Sequence, residues 1–326
     1  MTPTFTLENR LPADYFTEAL RSDALHGLTA HPKSLPPTWF YDAHGSDLFE
    51  QITALPEYYP TRTEHGILTA RAPEIAAAVH ARTLVELGSG SSVKTRLLLD
   101  AMLAAGPLRE YVPVDVSESA LRQAAKGLGQ SYPDLGVHAL VADFHQHLGL
   151  AGTRGPRLLA FLGGTIGNLL PEARAAFLAR VAAELEPGDA LLLGTDLVKD
   201  PATLVAAYDD SAGVTAEFNK NVLSVLDHGL DADFAPDDFR HVAVWDAEHE
   251  WIEMRLRALH PLSVKVRELD LVVFFEEGED LHTETSAKFR EQGVRDELQR
   301  AGLTLRHWWT DPAEQYALSL SFPAGG

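Results

Sequence analysis

The run Thr83–Leu84–Val85–Glu86–Leu87–Gly88–Ser89–Gly90–Ser91–Ser92 constrains this chain more than any other stretch. Its first half is apolar and β-favouring, which predicts a buried strand. Its second half spaces two glycines one residue apart, which predicts a tight turn with exposed backbone N–H groups. From Lys94 to Leu103 leucines recur at helical spacing, so a helix should follow. Strand, glycine turn and helix in that order open an α/β nucleotide-binding sheet, where ligands sit at the carboxyl ends of strands. A dinucleotide loop of the Gly-x-Gly-x-x-Gly type has its third glycine where this chain has Val93. That substitution disfavours the alternative of an NAD-dependent oxidoreductase.

The chain has 326 residues, enough for a sizeable core and two domains. Acidic residues outnumber basic ones, 47 to 27, for a net charge of −20. Nucleic acid and anionic membrane need clustered positive charge, so neither is expected as a partner. A small or cationic molecule is compatible with this balance. There is no cysteine, which excludes disulfides, thiolate metal sites and cysteine nucleophiles. Met1–Arg10 lacks a basic head followed by an apolar core, and no apolar run approaches the ~20 residues of a membrane span. A cytoplasmic protein is the expectation.

Glu86, two places before Gly88, makes the turn resemble the first motif of S-adenosylmethionine-dependent methyltransferases with a Rossmann-like sheet. Residues 63–197 read as one α/β unit. Leu108–Val114 is a second strand that ends in Asp115, 27 residues after Gly88, where an acid suits ribose hydroxyls. Ser117 is placed to cap the helix Ser117–Lys126. Val137–Ala142 is a third strand, and the Asp143–Phe144 pair at its end suits an adenine. Arg157–Leu162 is a fourth, ending in Gly163–Gly164–Thr165–Ile166–Gly167–Asn168. Three glycines in five residues cost chain entropy and make sense where a ligand must approach the backbone. Asn168 carries both donor and acceptor for a carboxylate or amide; the alternative is a cap for the helix Pro171–Leu185. Ala190–Leu193 is a fifth strand.

Elsewhere the pattern differs. Residues 1–62 hold a helix, Asp14–Leu25, then a dense aromatic cluster broken by prolines, from Trp39–Phe40–Tyr41 to Tyr58–Tyr59. These rings either form a small core or wall a pocket for a cation. Pro201–Tyr208 is a short helix ending in Tyr208, Thr215–Asp227 another, and Val242–Leu259 alternates like antiparallel strands. His249, Glu250, Glu253 and His260 lie there without a His-x-x-x-His pair, so no metal site is expected. Leu269–Phe275 is a strand. Glu284–Thr285–Ser286 is expected at the mouth of a helix, Ala287–Ala301. Leu303–Trp309 and Tyr316–Phe322 close the sheet as antiparallel strands. The fold class is therefore α/β, a Rossmann-like class I methyltransferase sheet (63–197 plus 288–326) with a second α+β substrate-binding domain (1–62 plus 198–287). The cleft of these two is the expected site.

By these residues the chain resembles the histidine-specific Nα-methyltransferases of ergothioneine biosynthesis over almost its whole length. The resemblance is carried by Tyr41–Asp42–x–x–Gly45–Ser46–x–Leu48–Phe49–Glu50, Pro56–Glu57–Tyr58–Tyr59–Pro60–Thr61–Arg62–x–Glu64, Glu86–Leu87–Gly88–Ser89–Gly90, Gly163–Gly164–Thr165–Ile166–Gly167–Asn168 and Glu284–x–Ser286–x–Lys288–Phe289. The glycine turn is common to many methyltransferases, and the aromatic segment and the Gly163–Asn168 run are far more specific. The resemblance implies that S-adenosylmethionine contacts Gly88, Lys94, Asp115, Asp143 and Phe144. It implies that Tyr58, Asn168 and Tyr208 hold a histidine carboxylate, and that Glu284 and Ser286 read its imidazole. Tyr41 is implied near the amine, with Gly163 and Thr165 backbone close by. The implied reaction is three successive methyl transfers from S-adenosylmethionine to the α-amine of L-histidine, giving hercynine; separately, a monomer without a metal is expected. Another free amino acid, such as tryptophan, is the alternative substrate. The Glu284–Ser286 pair argues against it, because an indole has one donor and no acceptor.

Overall fold

The computed structural model describes residues 5–90, 92 and 94–324; Ser91 and Val93, the latter at the third-glycine position of the turn, lie outside them. The chain divides into two compact units, one of Met1–Leu11, Arg62–Leu197 and Phe289–Gly326, the other of Pro12–Thr61 and Val198–Lys288.

The first unit is built on a sheet whose strands run, edge to edge, Phe5–Asn9, Gly136–Val141, Glu110–Asp115, Thr83–Leu87, Arg157–Phe161, Ala190–Asp196, Tyr316–Pro323 and Leu303–Thr310. The first six are parallel to one another; Tyr316–Pro323 runs antiparallel to them, and Leu303–Thr310 pairs antiparallel to Tyr316–Pro323 and so returns to their direction. Thr83–Leu87 and Arg157–Phe161 are buried at every position, as strands covered on both faces must be. From Thr83–Leu87 the chain steps outward to Glu110–Asp115 and Gly136–Val141, then returns to Arg157–Phe161 on the other side. The strand order therefore reverses between Thr83–Leu87 and Arg157–Phe161, and their carboxyl ends flank the crevice where this fold class binds ligands. The helix after the glycine turn is Thr95–Ala105, and Gly106 stops it in the left-handed conformation with φ 103°. Arg157, buried within its strand, is neutralised by Asp189, whose Oδ2 accepts from Nε at 2.7 Å.

The edge strand Phe5–Asn9 has no counterpart in the sequence reading. It pairs in parallel with Gly136–Val141, placing Leu7 opposite Ala139.

The second unit packs the helices Tyr15–Thr29, Ala43–Thr53, Pro201–Tyr208 and Val214–Leu230 with a sheet ordered Lys33–Ser34, Asp280–Ala287, Trp251–Ala258, Phe239–Asp246. Trp251–Ala258 buries every second residue, so Ile252, Met254 and Leu256 form its inner face. Phe40, Phe218, Val222 and Leu226 pack in the same core. A hairpin of Leu262–Val266 and Leu271–Phe275 lies beside them in sequence. Among the described residues no helix is long and apolar enough to cross a membrane.

Candidate active site

In the first unit, Gly88 and Gly90 take left-handed φ values of 66° and 49°, and open space lies where each would carry a Cβ. A ligand can therefore approach this backbone closely. Asp115 ends the neighbouring strand and braces the turn. Its Oδ2 accepts from the Gly90 N–H and its Oδ1 from the Ser117 N–H, each at 2.9 Å. Each carboxylate oxygen keeps a lone pair for a hydroxyl. Burial pushes the Asp115 carboxyl up, opposed by the N–H groups of Ser117 and Gly90. Ser117 caps the helix Glu118–Ser131, its Oγ accepting from the Ala120 N–H at 3.3 Å. Asp143 turns the chain after Gly136–Val141 by accepting from the His145 N–H at 2.8 Å. The Phe144 ring stands edge-on to Phe161, centroids 5.2 Å apart. An open glycine turn, a braced carboxylate and an acid beside a ring fit an adenine nucleoside.

Under the turn lies a polar cluster. The Glu86 carboxylate, buried at the end of its strand, accepts from Thr95 Oγ1 at 2.6 Å and from the Tyr111 hydroxyl. Tyr111 in turn lies 2.9 Å from Ser92 Oγ. Burial pushes the Glu86 carboxyl up to about 7, against the pull of Thr95 and Tyr111.

The run at the end of Arg157–Phe161 puts Gly163 and Gly164 at φ 76° and 72°, then makes one 3-10 turn over Thr165–Asn168. Thr165 Oγ1 donates to the Leu162 carbonyl at 3.2 Å. Asn168 does not cap the helix Pro171–Glu184, whose cap residue is Leu170. Lys94 reaches the same turn: a Cβ on Gly163 would sit 3.6 Å from its ammonium. Glu64 joins the two, because it accepts from Lys94 Nζ and from the Gly163 N–H.

The second unit gathers the others. Tyr41 is 50% exposed, with its ring edge-on to Phe49 and Phe218 at 5.5 Å each. Phe49 is edge-on to Tyr58 at 6.2 Å, so one set of rings positions both tyrosines. Asp42 caps the following helix, its Oδ1 accepting from the Gly45 N–H at 2.7 Å. Tyr208 ends the helix Pro201–Tyr208, with its hydroxyl 2.7 Å from Ser286 Oγ. Its carbonyl receives His241 Nε2 at 2.8 Å, and Asn219 Nδ2 meets His241 Nδ1, also at 2.8 Å. Asn219 as donor fixes the neutral tautomer with hydrogen on Nε2. Burial lowers the His241 pKa in keeping with that neutral state.

Glu284 and Ser286 depart from expectation. They lie not at a helix mouth but in the strand Asp280–Ala287, and the helix begins only at Glu291. Two residues apart on a strand, they share one face. A bulge between His282 and Glu284 re-aims that end of the strand. Lys288, not singled out from the sequence as a site residue, donates to Tyr208 Oη at 2.8 Å and to Ser286 Oγ at 2.9 Å. Its ammonium also lies 4.6 Å from the Tyr208 ring centre. Glu64 is likewise given no role by the sequence; both residues stand in the motifs of the resemblance, and long-range contacts show what each one holds. Among the described residues no group of three or more His, Asp or Glu could hold a metal ion.

The model of the family described as histidine-specific methyltransferase, SAM-dependent, matches residues 20–322. The chain is 58% identical over 318 residues to a histidine N-alpha-methyltransferase of Mycolicibacterium smegmatis, covering 98% of this chain and 99% of that protein. It is 54% identical over 316 residues to the Mycobacterium tuberculosis protein of the same name, covering 97% and 98%. Ergothioneine biosynthesis protein 1 of Neurospora crassa is 35% identical over 176 residues, which is 52% of this chain and 20% of that protein. With its family pattern matched from Leu20 to Phe322, within the final strand, the chain belongs to the histidine-specific, S-adenosylmethionine-dependent methyltransferases.

Proposed function

We propose that this protein transfers three methyl groups in succession to the α-amine of L-histidine, giving hercynine for ergothioneine biosynthesis. The observation that carries this reading beyond the family match is the shared strand face of Glu284 and Ser286, with Ser286 locked to Tyr208. An imidazole presents two ring nitrogens, and a carboxylate with a hydroxyl on one face can answer both. Tyr58, Asn168 and Tyr208 are assigned to the substrate carboxylate. Gly88, Lys94, Asp115, Asp143 and Phe144 are assigned to S-adenosylmethionine, with Asp115 on the ribose and Asp143 with Phe144 at the adenine. In this assignment residues 62–197 and 289–326, with the edge strand Phe5–Asn9, serve the cofactor, and 12–61 and 198–288 the amino acid.

Bound S-adenosylmethionine supplies an electrophilic methyl on a sulfonium. The chain's own task is to hold a neutral amine in line with it, and alignment at ~3–3.5 Å is worth ~7–11 kcal/mol. Tyr41 is assigned to the amine side, with Gly163 and Thr165 backbone near it. Its half-exposed side chain suits passage of the amine's proton to water. Each round leaves a bulkier amine, which an aromatic surround of Tyr41, Phe49 and Tyr58 tolerates. The same reading places a monomer, without a metal, in the cytoplasm.

A turnover panel of free amino acids tests the substrate. L-histidine and its partly methylated forms should be consumed while tryptophan and alanine are not. Faster turnover of tryptophan would assign the strand face to another ring.

A further inference from the structure

We infer that Glu64 is the positioning residue of the methyl-transfer site: it sets the Lys94 ammonium and the Gly163 peptide with one carboxylate. This rests on the reading that Lys94 and the Gly163 turn serve the bound cofactor and the amine. Glu64 lies in the first turns of the helix Pro60–Val79 and is fully buried. Its Oε1 accepts from the Gly163 N–H at 2.8 Å and from the Tyr316 hydroxyl at 2.9 Å, while Oε2 receives Lys94 Nζ. A buried carboxylate is held only by such donors, and removal of any one exposes the charge.

Two consequences follow from the geometry. The Lys94 side chain, 25% exposed, has its ammonium fixed on the side of the turn rather than left to sample solvent. The Gly163 N–H is consumed by Glu64, so the peptide that precedes Gly163 cannot rotate to offer that N–H to a ligand. An amine that must lose its proton gains nothing from a competing N–H donor, and Glu64 removes that donor. The space is built for this carboxylate: a Cβ on Gly194 would lie 2.3 Å from Glu64 Oε1 and 2.7 Å from Tyr316 Oη. Gly194 sits in the interior strand Ala190–Asp196, where a side chain would otherwise be the rule.

The test is calorimetric binding of S-adenosylhomocysteine to the full chain, beside steady-state turnover of histidine. Glu64→Gln keeps the shape and loses the charge, and should weaken S-adenosylhomocysteine about tenfold. In a Lys94→Met background the same change should cost less than about twofold, because its effect passes through Lys94. Turnover should fall further in Glu64→Ala than in Lys94→Met, since the Gly163 N–H and the Tyr316 hydroxyl lose their acceptor as well. Gly194→Ala is the second probe; it displaces the carboxylate by steric pressure and should reproduce the affinity loss with every donor retained. The inference is overturned if both variants melt lower yet bind S-adenosylhomocysteine as the unmodified protein does. It is equally overturned if the Glu64 and Lys94 losses multiply. Failure of the unmodified protein to bind S-adenosylhomocysteine would instead remove the cofactor reading beneath it.

Discussion

The hydroxyl of Tyr208 stands 2.7 Å from that of Ser286, and Lys288 donates to both oxygens. The end of the helix Pro201–Tyr208 and the face of the strand Asp280–Ala287 are therefore one rigid element. If Tyr208 holds the carboxylate of histidine and Ser286 its ring, the two ends of the substrate are measured against each other. Tyr208→Phe and Ser286→Ala should each weaken histidine about tenfold. The double variant should lose less than the product of the two, because each change already breaks the shared bond. Calorimetry on the cycle checks this, and strictly additive losses would mean that the hydroxyls act separately.

Glu284 is the carboxylate assigned to the imidazole. Glu284→Ala should weaken histidine about a hundredfold, since a ring N–H loses a charged acceptor. S-adenosylhomocysteine affinity should stay within about twofold. Equal loss for both ligands would point to a fold defect rather than a recognition role.

Glu86 gives a pH signature. Its carboxyl rises from 4.5 to about 7 in the folded protein, chiefly through burial. The folded state thus holds this proton more tightly than the unfolded chain does. The group's contribution to stability is full below pH 4.5 and is lost as pH rises to about 7. Glu86→Gln removes that dependence, so the wild type should lose about 3 kcal/mol relative to the variant across this window. Urea unfolding at stepped pH measures the gap, and a constant gap would show an ionised carboxylate throughout.

Gly45 and Gly66 make a matched pair. A Cβ on Gly45 would meet the Phe40 carbonyl oxygen at 1.7 Å, so Gly45→Ala should cost about 2–4 kcal/mol by forcing the helix Ala43–Thr53 off its seat. Gly66 is exposed within the helix Pro60–Val79 and a Cβ there meets nothing within 4 Å. Gly66→Ala should stabilise by about 0.5–1 kcal/mol. Thermal melts compare the two, and a shift of like sign in both would contradict the packing.

The parallel sheet was legible because its strands are short apolar runs ending in glycine or acid, a pattern set by burial on both faces. Strand Phe5–Asn9 was not, because an edge strand is mostly exposed and needs no apolar alternation; backbone pairing alone recruits it. The sequence puts Glu284 and Ser286 at the mouth of a helix because the inward positions of their strand include Thr283, a buried polar residue that hides the two-residue period. Thr283 is satisfied by Asn219 Oδ1 at 2.7 Å and the Met254 carbonyl at 2.9 Å. The motif residues Asp42, Gly45 and Glu64 read as family markers, and the structure gives them mechanical reasons. Asp42 caps a helix, Gly45 admits a carbonyl, and Glu64 ties residues distant in sequence.

The central claim is that the α-nitrogen of free histidine is the acceptor, three times over. The direct measurement is incubation of the protein with S-adenosylmethionine and L-histidine, followed by mass and NMR analysis of the amino acid. Mono-, di- and trimethylated histidine should form in turn, with every methyl on the α-nitrogen and the ring unmodified. Methyl groups on an imidazole nitrogen, or unaltered histidine from folded protein that binds S-adenosylhomocysteine, would contradict the account.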